Sequence, residues 1–313
     1  MTDITIGADI SKDHIDLHRL PDGQTLNVTN DRKGFAAILK WIGPKGAGRI
    51  VYEPTGPYHK AFERFMAMQG LQLCKVNPRV ARRFAEATGR LAKTDRIDAA
   101  LLARFGALLE PRILQANTQI HNDLKELHMA RLALIKDRTA AKNRAKNLSN
   151  PLLKRHNTHR LRQIERQIKA VDEAIMALIA EDATLKARLE ILISIPGVSR
   201  VTAFTLLIEM PELGELDEKA AAALSGLAPI SRQSGRWTGR AFIAGGRAAI
   251  VRQALYMPAL VACRFNPELS AKYDLLIKAG KPPKVAITAI MRKIILLANA
   301  LLRKNQKWTP KAA

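Results

Sequence analysis

The sequence predicts three parts: an α/β amino-terminal domain, a helical coiled-coil middle region and a mainly α-helical carboxy-terminal domain. Strand-like and helix-like segments alternate at the start, an interrupted apolar stripe at helical spacing runs from about residue 118 to 182, and short helical segments with a Gly-rich loop follow from about residue 184. The predicted domain boundaries are 1–115, 116–183 and 184–313. With 313 residues and 47% hydrophobic content, the chain can bury substantial cores.

The first domain begins with three strand-like segments. Residues 3–11 and 14–20 read as strands joined by a tight turn, and the turn sequence PDGQ separates them from LNVTN, which predicts a three-strand antiparallel meander. The segments that follow alternate between helix and strand: a helix at 34–42, the strand RIVYE, a helix near 58–69, the strand LQLCKV and a helix from Pro78 to about Thr88. This order resembles the ribonuclease H-like fold of the RuvC type. The resemblance implies carboxylates on the first strand, after the fourth strand and on a later helix.

The middle region is predicted to hold two long helices. Pro151 cannot continue a helix without losing a hydrogen bond, so the break is predicted where Asn157-Thr158 follows Asn150-Pro151. Between Lys125 and Lys169 there are 13 Lys or Arg residues and three Asp or Glu residues, a bias that suits the tracking of phosphates. A solvated coiled-coil face explains the same bias equally well. The carboxy-terminal domain is predicted to end in an amphipathic helix at 284–303.

The net charge indicates a phosphate-rich partner. A formal charge of +23 exceeds what solubility needs, so nucleic acid is the first partner to consider. A membrane is not expected, because the start lacks a signal-like pattern and the most apolar late segment, 285–302, is interrupted by Arg292 and Lys293. Cys74 and Cys263 match no zinc-ligand spacing and indicate no disulfide framework, which fits a reducing cytoplasm.

Four carboxylates carry the most specific chemical signal: Asp9 in ITIGADISK, Glu53 in RIVYEPTG, and Asp95 and Asp98 in LAKTDRIDA. The first two close strand-like segments, and the other two are three residues apart at the start of a helix, so they share one helix face. Each has a structural alternative. The helix pair suits an N-cap, with Thr94 or Asp95 as the cap, and a favourable interaction with the helix dipole. The strand pair suits solvated positions beside a turn.

The four carboxylates lie on the elements where a ribonuclease H-like domain has its metal ligands, and this resemblance favours a metal site over four separate structural roles. Like charges about 4 Å apart repel by about 4 kcal/mol per pair at an effective dielectric constant of about 20, so a cluster of four needs cations. Ligand sets made only of oxygen favour Mg²⁺ or Mn²⁺ and argue against zinc. Such an ion would neutralise charge and act as a Lewis acid in phosphodiester chemistry.

A second group of chemically informative residues lies in GLAPISRQSGRWTGRAFIAGGR, residues 226–247. Its glycines permit tight turns, and its arginines are forked donors suited to phosphate: Arg232, Arg236, Arg240 and Arg247. Ser234 lies among them. By itself, a serine in such a loop is more often a turn hydroxyl than a nucleophile, and no local His-Asp pairing identifies a hydrolase triad.

The segment ILISIPGVSRVTAFTLL is typical of a helix-hairpin-helix. In that motif the amides around Gly197 would contact a DNA phosphate. A glycine C-cap between two packed helices explains the segment equally well.

The ordered set of motifs resembles one family along nearly the whole chain. GADISK, YEPTG, KTDRIDA, IPGV, SGLAP, QSG, GGR with VRQALY, and a terminal helix containing RK match the order of the DEDD transposases of the insertion sequence 110 family, which include pilin-gene invertases. The resemblance implies a RuvC-like domain whose four acidic residues fall on Asp9, Glu53, Asp95 and Asp98. It also implies a transposase domain whose serine falls on Ser234.

For function, the resemblance implies DNA recombination through a covalent phosphoserine intermediate, assisted by Mg²⁺ or Mn²⁺ at the acidic site. It also implies a structured bridge RNA that pairs with donor and target DNA, and a homo-oligomer, dimer or tetramer, that unites the acidic and serine sites. No Gly-x4-Gly-Lys-Ser/Thr loop occurs, in keeping with strand exchange without ATP. Two alternatives remain: a RuvC-like structure-specific endonuclease that acts without the serine, and a non-catalytic nucleic-acid-binding protein.

Overall fold

The computed structural model describes residues 4–43, 48–89, 95–113, 119–230, 233–234, 237–238, 242–243 and 249–309. The chain divides into two compact units, Met1–Asn117 and Thr118–Ala313.

Five strands form the sheet of the first unit: β1 (Thr5–Ile10), β2 (His14–Leu20), β3 (Thr25–Thr29), β4 (Arg49–Tyr52) and β5 (Leu73–Lys75). Their order across the sheet is β3-β2-β1-β4-β5. The first three strands pair antiparallel, whereas β4 pairs parallel with both β1 and β5. The predicted meander and the α/β character of this unit are confirmed.

Helices cover both faces of the sheet: α1 (Arg32–Ile42), α2 (His59–Met68), α3 (Pro78–Ala87) and α4 (Asp95–Leu109). On one face, Ile6, Ala8 and Ile10 of β1 pack in a core with side chains of α1 and α2. On the other face, Val51 of β4 packs in a second core with Leu102 and Phe105 of α4. The division follows from the strands themselves, because successive side chains of a strand point to opposite faces.

Two glycines allow α4 to lie directly on the sheet. A Cβ atom added to Gly7 of β1 would stand 2.0 Å from the carbonyl oxygen of Ala99 and 2.3 Å from the amide nitrogen of Ala103. A Cβ atom on Gly106 of α4 would stand 2.4 Å from Cγ2 of Val51. At the other end of α4, the guanidinium of Arg49, the first residue of β4, donates to the carbonyl oxygen of Gly106 at 3.3 Å. The helix therefore runs opposite to β1 and β4, and its first turn lies toward their carboxyl ends.

The second unit contains the long pair α5 (Gln119–Ala145) and α6 (Pro151–Glu181). The Asn150 side chain caps α6 by accepting from the amide of Leu152 at 2.9 Å. Pro151 is the first residue of the helix, a position where its missing amide hydrogen costs nothing. The predicted break at Asn157-Thr158 is therefore wrong: both residues lie inside α6, and the Asn157 side chain donates to the carbonyl oxygen of Ala141 in α5 at 3.0 Å.

The long pair shares a core with the helices that follow it: α7 (Ala183–Ile193), α8 (Arg200–Glu209), α9 (Glu218–Leu224), α10 (Ala249–Phe265), α11 (Pro267–Lys278) and α12 (Pro283–Lys304). Leu124 of α5 and Ile175 of α6 are buried in the same cluster as Phe204 of α8 and Ile290 of α12. A mainly helical carboxy-terminal part and a final helix near 284–303 are confirmed.

Within the described residues, α12 is long and apolar enough to cross a membrane by length and composition, with a mean hydropathy of 1.9. It nevertheless has the surroundings of a core helix. Ala286, Ile290, Ile294 and Ala298 are fully buried against the other helices of this unit. One helix of this kind is weak evidence for a membrane span, because core helices of soluble proteins can have the same length and hydropathy.

A buried polar junction joins α5 to α8. His128 is 1% exposed, its Nε2 lies 3.8 Å from Oε1 of Glu209, and its ring packs edge-on against Phe204. Burial, together with the smaller effect of the nearby positive charge of Arg131, lowers the pKa of His128 to about 4. The imidazole is therefore neutral at pH 7.

The free energy of unfolding is expected to fall on acidification because of His128. The folded pKa of about 4 lies below the unfolded value of 6.5, so the stabilisation is present above pH 6.5 and is lost as the pH falls toward 4. By this relation the loss between pH 7 and pH 5 is about 2 kcal/mol. Urea unfolding followed by circular dichroism at both pH values measures it. His128→Gln should flatten this pH dependence, and His156→Gln, at an exposed position of α6, should leave it unchanged.

Candidate active site

Asp9 and Glu53 lie side by side at the carboxyl ends of two parallel strands. In the β1–β4 register, Gly7 pairs with Val51 and Ala8 with Tyr52, so Asp9 and Glu53 are the next residues in line. Both are half-buried. Because side chains alternate along a strand, Asp9 belongs to the same face as Gly7, which is the face that α4 covers.

Asp95 and Asp98 lie in the first turns of α4. The helix begins at Asp95, whose side chain lies outside the described residues, as does Thr94, the alternative cap. Asp98 is half-buried. Since the start of α4 lies toward the carboxyl ends of β1 and β4, Asp98 lies toward the same end of the sheet as Asp9 and Glu53.

The chemical type of the donor atoms fits a hard divalent cation, because Asp9, Glu53 and Asp98 offer only carboxylate oxygens. Among the described residues, no three His, Cys, Asp or Glu side chains form a group that could hold a metal ion. The described residues include the side chains of Asp9, Glu53 and Asp98 but not that of Asp95, the fourth expected ligand.

Asp16 is a carboxylate of this region that sequence reasoning missed. It pairs directly with Asp9 across β1 and β2, and its Oδ1 accepts from the Asn27 side chain of β3 at 2.9 Å. Cβ atoms of directly opposed residues are about 5 Å apart. The only signal was the hairpin register, in which a turn at residues 11–13 sets position 9 against position 16.

On the opposite face, a second polar cluster lies next to Glu53. The Tyr52 hydroxyl donates to Oε2 of Glu63 at 2.6 Å, and Nζ of Lys75 lies 2.6 Å from the same oxygen. His59 is 8% exposed, with Nε2 3.7 Å from that oxygen. Burial and the Glu63 carboxylate raise the pKa of Tyr52, so its hydroxyl keeps its proton. Burial, followed by the Lys75 charge, lowers the pKa of His59.

Ser234 lies in one of two short two-stranded sheets of the second unit: β6 (Pro229–Ile230) pairs with β9 (Phe242–Ile243), and β7 (Gln233–Ser234) pairs with β8 (Trp237–Thr238). Ser234 pairs antiparallel with Trp237, and Ile230 pairs antiparallel with Phe242. The side chain of Ser234 lies outside the described residues. So do the arginines expected to bind phosphate: Arg232, Arg236, Arg240 and Arg247.

Gly197 lies between α7 and α8 with a φ of 90°, a conformation that favours glycine. A Cβ atom there would stand 2.8 Å from the carbonyl oxygen of Pro258 in α10. The glycine therefore serves the packing of the hairpin against α10. Its predicted contact with phosphate stays a prediction.

Comparisons with known proteins match both units. A family model for DEDD transposases of the IS110 type matches residues 6–158, and a model described as the Transposase IS116/IS110/IS902 family matches residues 189–274. The chain belongs to the IS110 family of transposases. It is accordingly an enzyme of DNA transposition or recombination, and its substrates are DNA.

Individual relatives agree with this membership. The pilin gene-inverting proteins of Moraxella bovis and Moraxella lacunata are each 29% identical over 322 aligned residues, covering 98% of this chain and 98% of the relative. The insertion element IS900 uncharacterized 42 kDa protein of Mycobacterium paratuberculosis is 28% identical over 155 residues, covering 47% of this chain and 38% of the relative.

A side chain at Gly7 should separate α4 from the sheet. Gly7→Ala brings Cβ into two backbone atoms of α4 that cannot move alone, so the free energy of unfolding is expected to fall by about 3 kcal/mol. Urea unfolding measures the loss. Gly70→Ala is the matched control: that glycine has a φ of 74° with open space around it, so only about 1 kcal/mol of backbone strain is expected. Equal losses in the two variants would contradict the role given to Gly7.

Proposed function

We propose that this chain cuts and rejoins DNA through a phosphoserine intermediate formed on Ser234, assisted by an acidic centre of Asp9, Glu53, Asp95 and Asp98. The observation that carries the proposal is the alignment of Asp9 and Glu53 on adjacent parallel strands, with the first turn of α4 directed to the same end. We infer that the first unit is a ribonuclease H-like domain of the RuvC type. Its strand order and the positions of these carboxylates support that inference.

The acidic centre would hold Mg²⁺ or Mn²⁺ with its four carboxylates. When bound, the ion supplies Lewis-acid polarisation and charge neutralisation at a phosphodiester. The chain's own contribution is orientation: β1 and β4 hold two carboxylates on rigid strand ends, and α4 carries the other two on one helix face.

The serine step conserves the energy of the broken bond. Oγ of Ser234 attacks a DNA phosphorus, an Oγ–P bond forms, the bond from phosphorus to the leaving sugar oxygen breaks, and that oxygen takes up a proton. Attack on the phosphoserine by a hydroxyl of another strand reverses these changes and reseals the DNA. The arginines at 232, 236, 240 and 247 would hold the phosphate during both attacks.

A structured bridge RNA would choose the donor and target DNA by base pairing. The chemistry of the α5–α6 hairpin supports an RNA or DNA backbone as its partner: residues 138–164 contain eight Lys or Arg and no Asp or Glu. The acidic centre and Ser234 belong to different units, which suits a homo-oligomer, dimer or tetramer, in which protomers share sites. The protein would act in the cytoplasm.

A RuvC-like endonuclease that acts without the serine is the second candidate. The acidic residues lie in a unit with hydrophobic cores of its own, so hydrolysis there needs no group from the second unit. The fate of the cut strand separates the two candidates.

Ser234→Ala is expected to abolish both the covalent protein–DNA adduct and the rejoined DNA. The experiment incubates the protein with DNA carrying its own element ends, Mg²⁺ and the RNA transcribed beside the element, and resolves adducts on a denaturing gel. Ser270→Ala, a serine of α11 outside the proposed catalytic and nucleic-acid-binding residues, is the matched control and should form the adduct normally. Cleavage that survives in Ser234→Ala without an adduct would favour the endonuclease, and loss of the adduct when only the RNA is omitted would support RNA guidance.

Chelation of divalent cations is expected to stop adduct formation, and added Mn²⁺ should restore it. Asp98→Asn, which preserves shape but removes the charge, should lower the initial rate of adduct formation by a factor of about 10² or more. Asp123→Asn in α5 is the control, because this half-buried acid, which accepts from the Gln119 side chain at 2.7 Å, lies in the other unit. Full activity in the presence of a chelator would contradict the metal assignment.

A further inference from the structure

We propose that Glu63 is a positioning residue for the acidic centre: it anchors Tyr52 and Lys75 and thereby fixes the direction of Glu53. The proposal rests on the function proposed for Glu53, and it assigns a role to a cluster on the face of the sheet opposite to α4.

Glu53 lies where the sheet ends. The last strand residue is Tyr52, whose carbonyl oxygen accepts from the Val76 amide at 2.9 Å. The turn that follows, residues 53–58, contains two prolines and Gly56 at a φ of 47° before α2 begins at His59. Sheet pairing alone therefore does not set the direction of the Glu53 side chain.

The Glu63 carboxylate links α2, β4 and β5 through one of its oxygen atoms. Oε2 accepts from the Tyr52 hydroxyl at the end of β4 and lies 2.6 Å from Nζ of Lys75 at the end of β5. Glu63 itself lies on α2, one turn after His59. The two strand residues are register partners, so one carboxylate ties both strand ends to the helix that follows the turn.

Fixing Tyr52 bears on Glu53 because Glu53 is the next residue, and the alternation of β4 carried one residue past its end directs the Glu53 side chain to the face opposite to Tyr52. The Tyr52 ring is fully buried on the face of α1 and α2, where it packs 5.9 Å from the Phe62 ring. Glu53 is thereby directed to the α4 face, which carries Asp9. His59 closes the other end of the turn, since its buried ring lies 6.1 Å from that of Tyr52.

Glu63 is therefore not one of the proposed metal ligands. Its paired oxygen is occupied by a hydroxyl and an ammonium group, and it lies on the far side of the sheet from Asp9. Removing its charge should loosen Glu53 without removing any of the four proposed ligands.

The test measures Mn²⁺ binding to the full-length protein by isothermal titration calorimetry and by the electron paramagnetic resonance signal of free Mn²⁺. Glu63→Gln should weaken Mn²⁺ binding about tenfold, which corresponds to about 1.4 kcal/mol, with unchanged stoichiometry. Tyr52→Phe removes a single hydroxyl, keeps the ring and should weaken binding about threefold. Glu86→Gln, an exposed acid on α3 paired with Arg82 at 3.7 Å, is the matched control and should bind as the unchanged protein does. Higher Mn²⁺ concentrations should restore adduct formation to Glu63→Gln.

The outcomes separate this inference from the proposed function. If the unchanged protein binds Mn²⁺ and Glu53→Gln loses the site, yet folded Glu63→Gln and Tyr52→Phe bind within twofold of normal, the positioning role is overturned and the metal centre stands. A lost equivalent of Mn²⁺ in Glu63→Gln also overturns it, because Glu63 would then be a ligand. If Glu53→Gln binds Mn²⁺ normally, the metal centre and the positioning role both fail.

Discussion

Direct backbone packing of α4 on the sheet is the contact on which the acidic face depends. Because Gly7 and Gly106 have no side chains, the helix lies closer to β1 and β4 than larger residues at these two positions would allow. The contacts of Gly7 with Ala99 and of Gly106 with Val51 show the direction of the helix, and the Arg49 contact with Gly106 holds its far end. The first turn of α4 then lies near the strand ends, where its positive dipole end favours neighbouring carboxylates.

The sequence predicted the parts of the fold that depend on local pattern. Period-two alternation and the PDGQ turn placed the first three strands to within about two residues, and apolar spacing placed the helices α1, α2, α3 and α12. The break between α5 and α6 was placed too late because Pro151 has two opposite meanings. A proline disrupts a helix interior but is favoured at the first helical position, and only the Asn150 cap distinguishes the two cases.

The candidate site was predictable only in part, for a related reason. Asp9 and Glu53 stood out because they end strands, which is a local property. Asp16 becomes a neighbour of Asp9 only through the register of a hairpin, and Glu63 reaches Tyr52 and Lys75 only once α2 packs on the sheet. Contacts between elements distant in sequence are set by tertiary packing, and no spacing rule encodes them.

The distribution of charge explains why the proposed reaction calls for a cation. The chain as a whole carries a formal charge of +23, and the α5–α6 hairpin concentrates positive charge without any carboxylate between residues 138 and 164. In the first unit, by contrast, Asp9 and Asp16 oppose each other across β1 and β2, and directly opposed like charges weaken a sheet. A DNA phosphate drawn to the protein by its basic surface would meet negative charge at the acidic centre. In the proposed reaction, a divalent cation held by the carboxylates would offset that repulsion, so the basic surface that attracts DNA and the proposed acidic centre would be compatible with each other once the ion is bound.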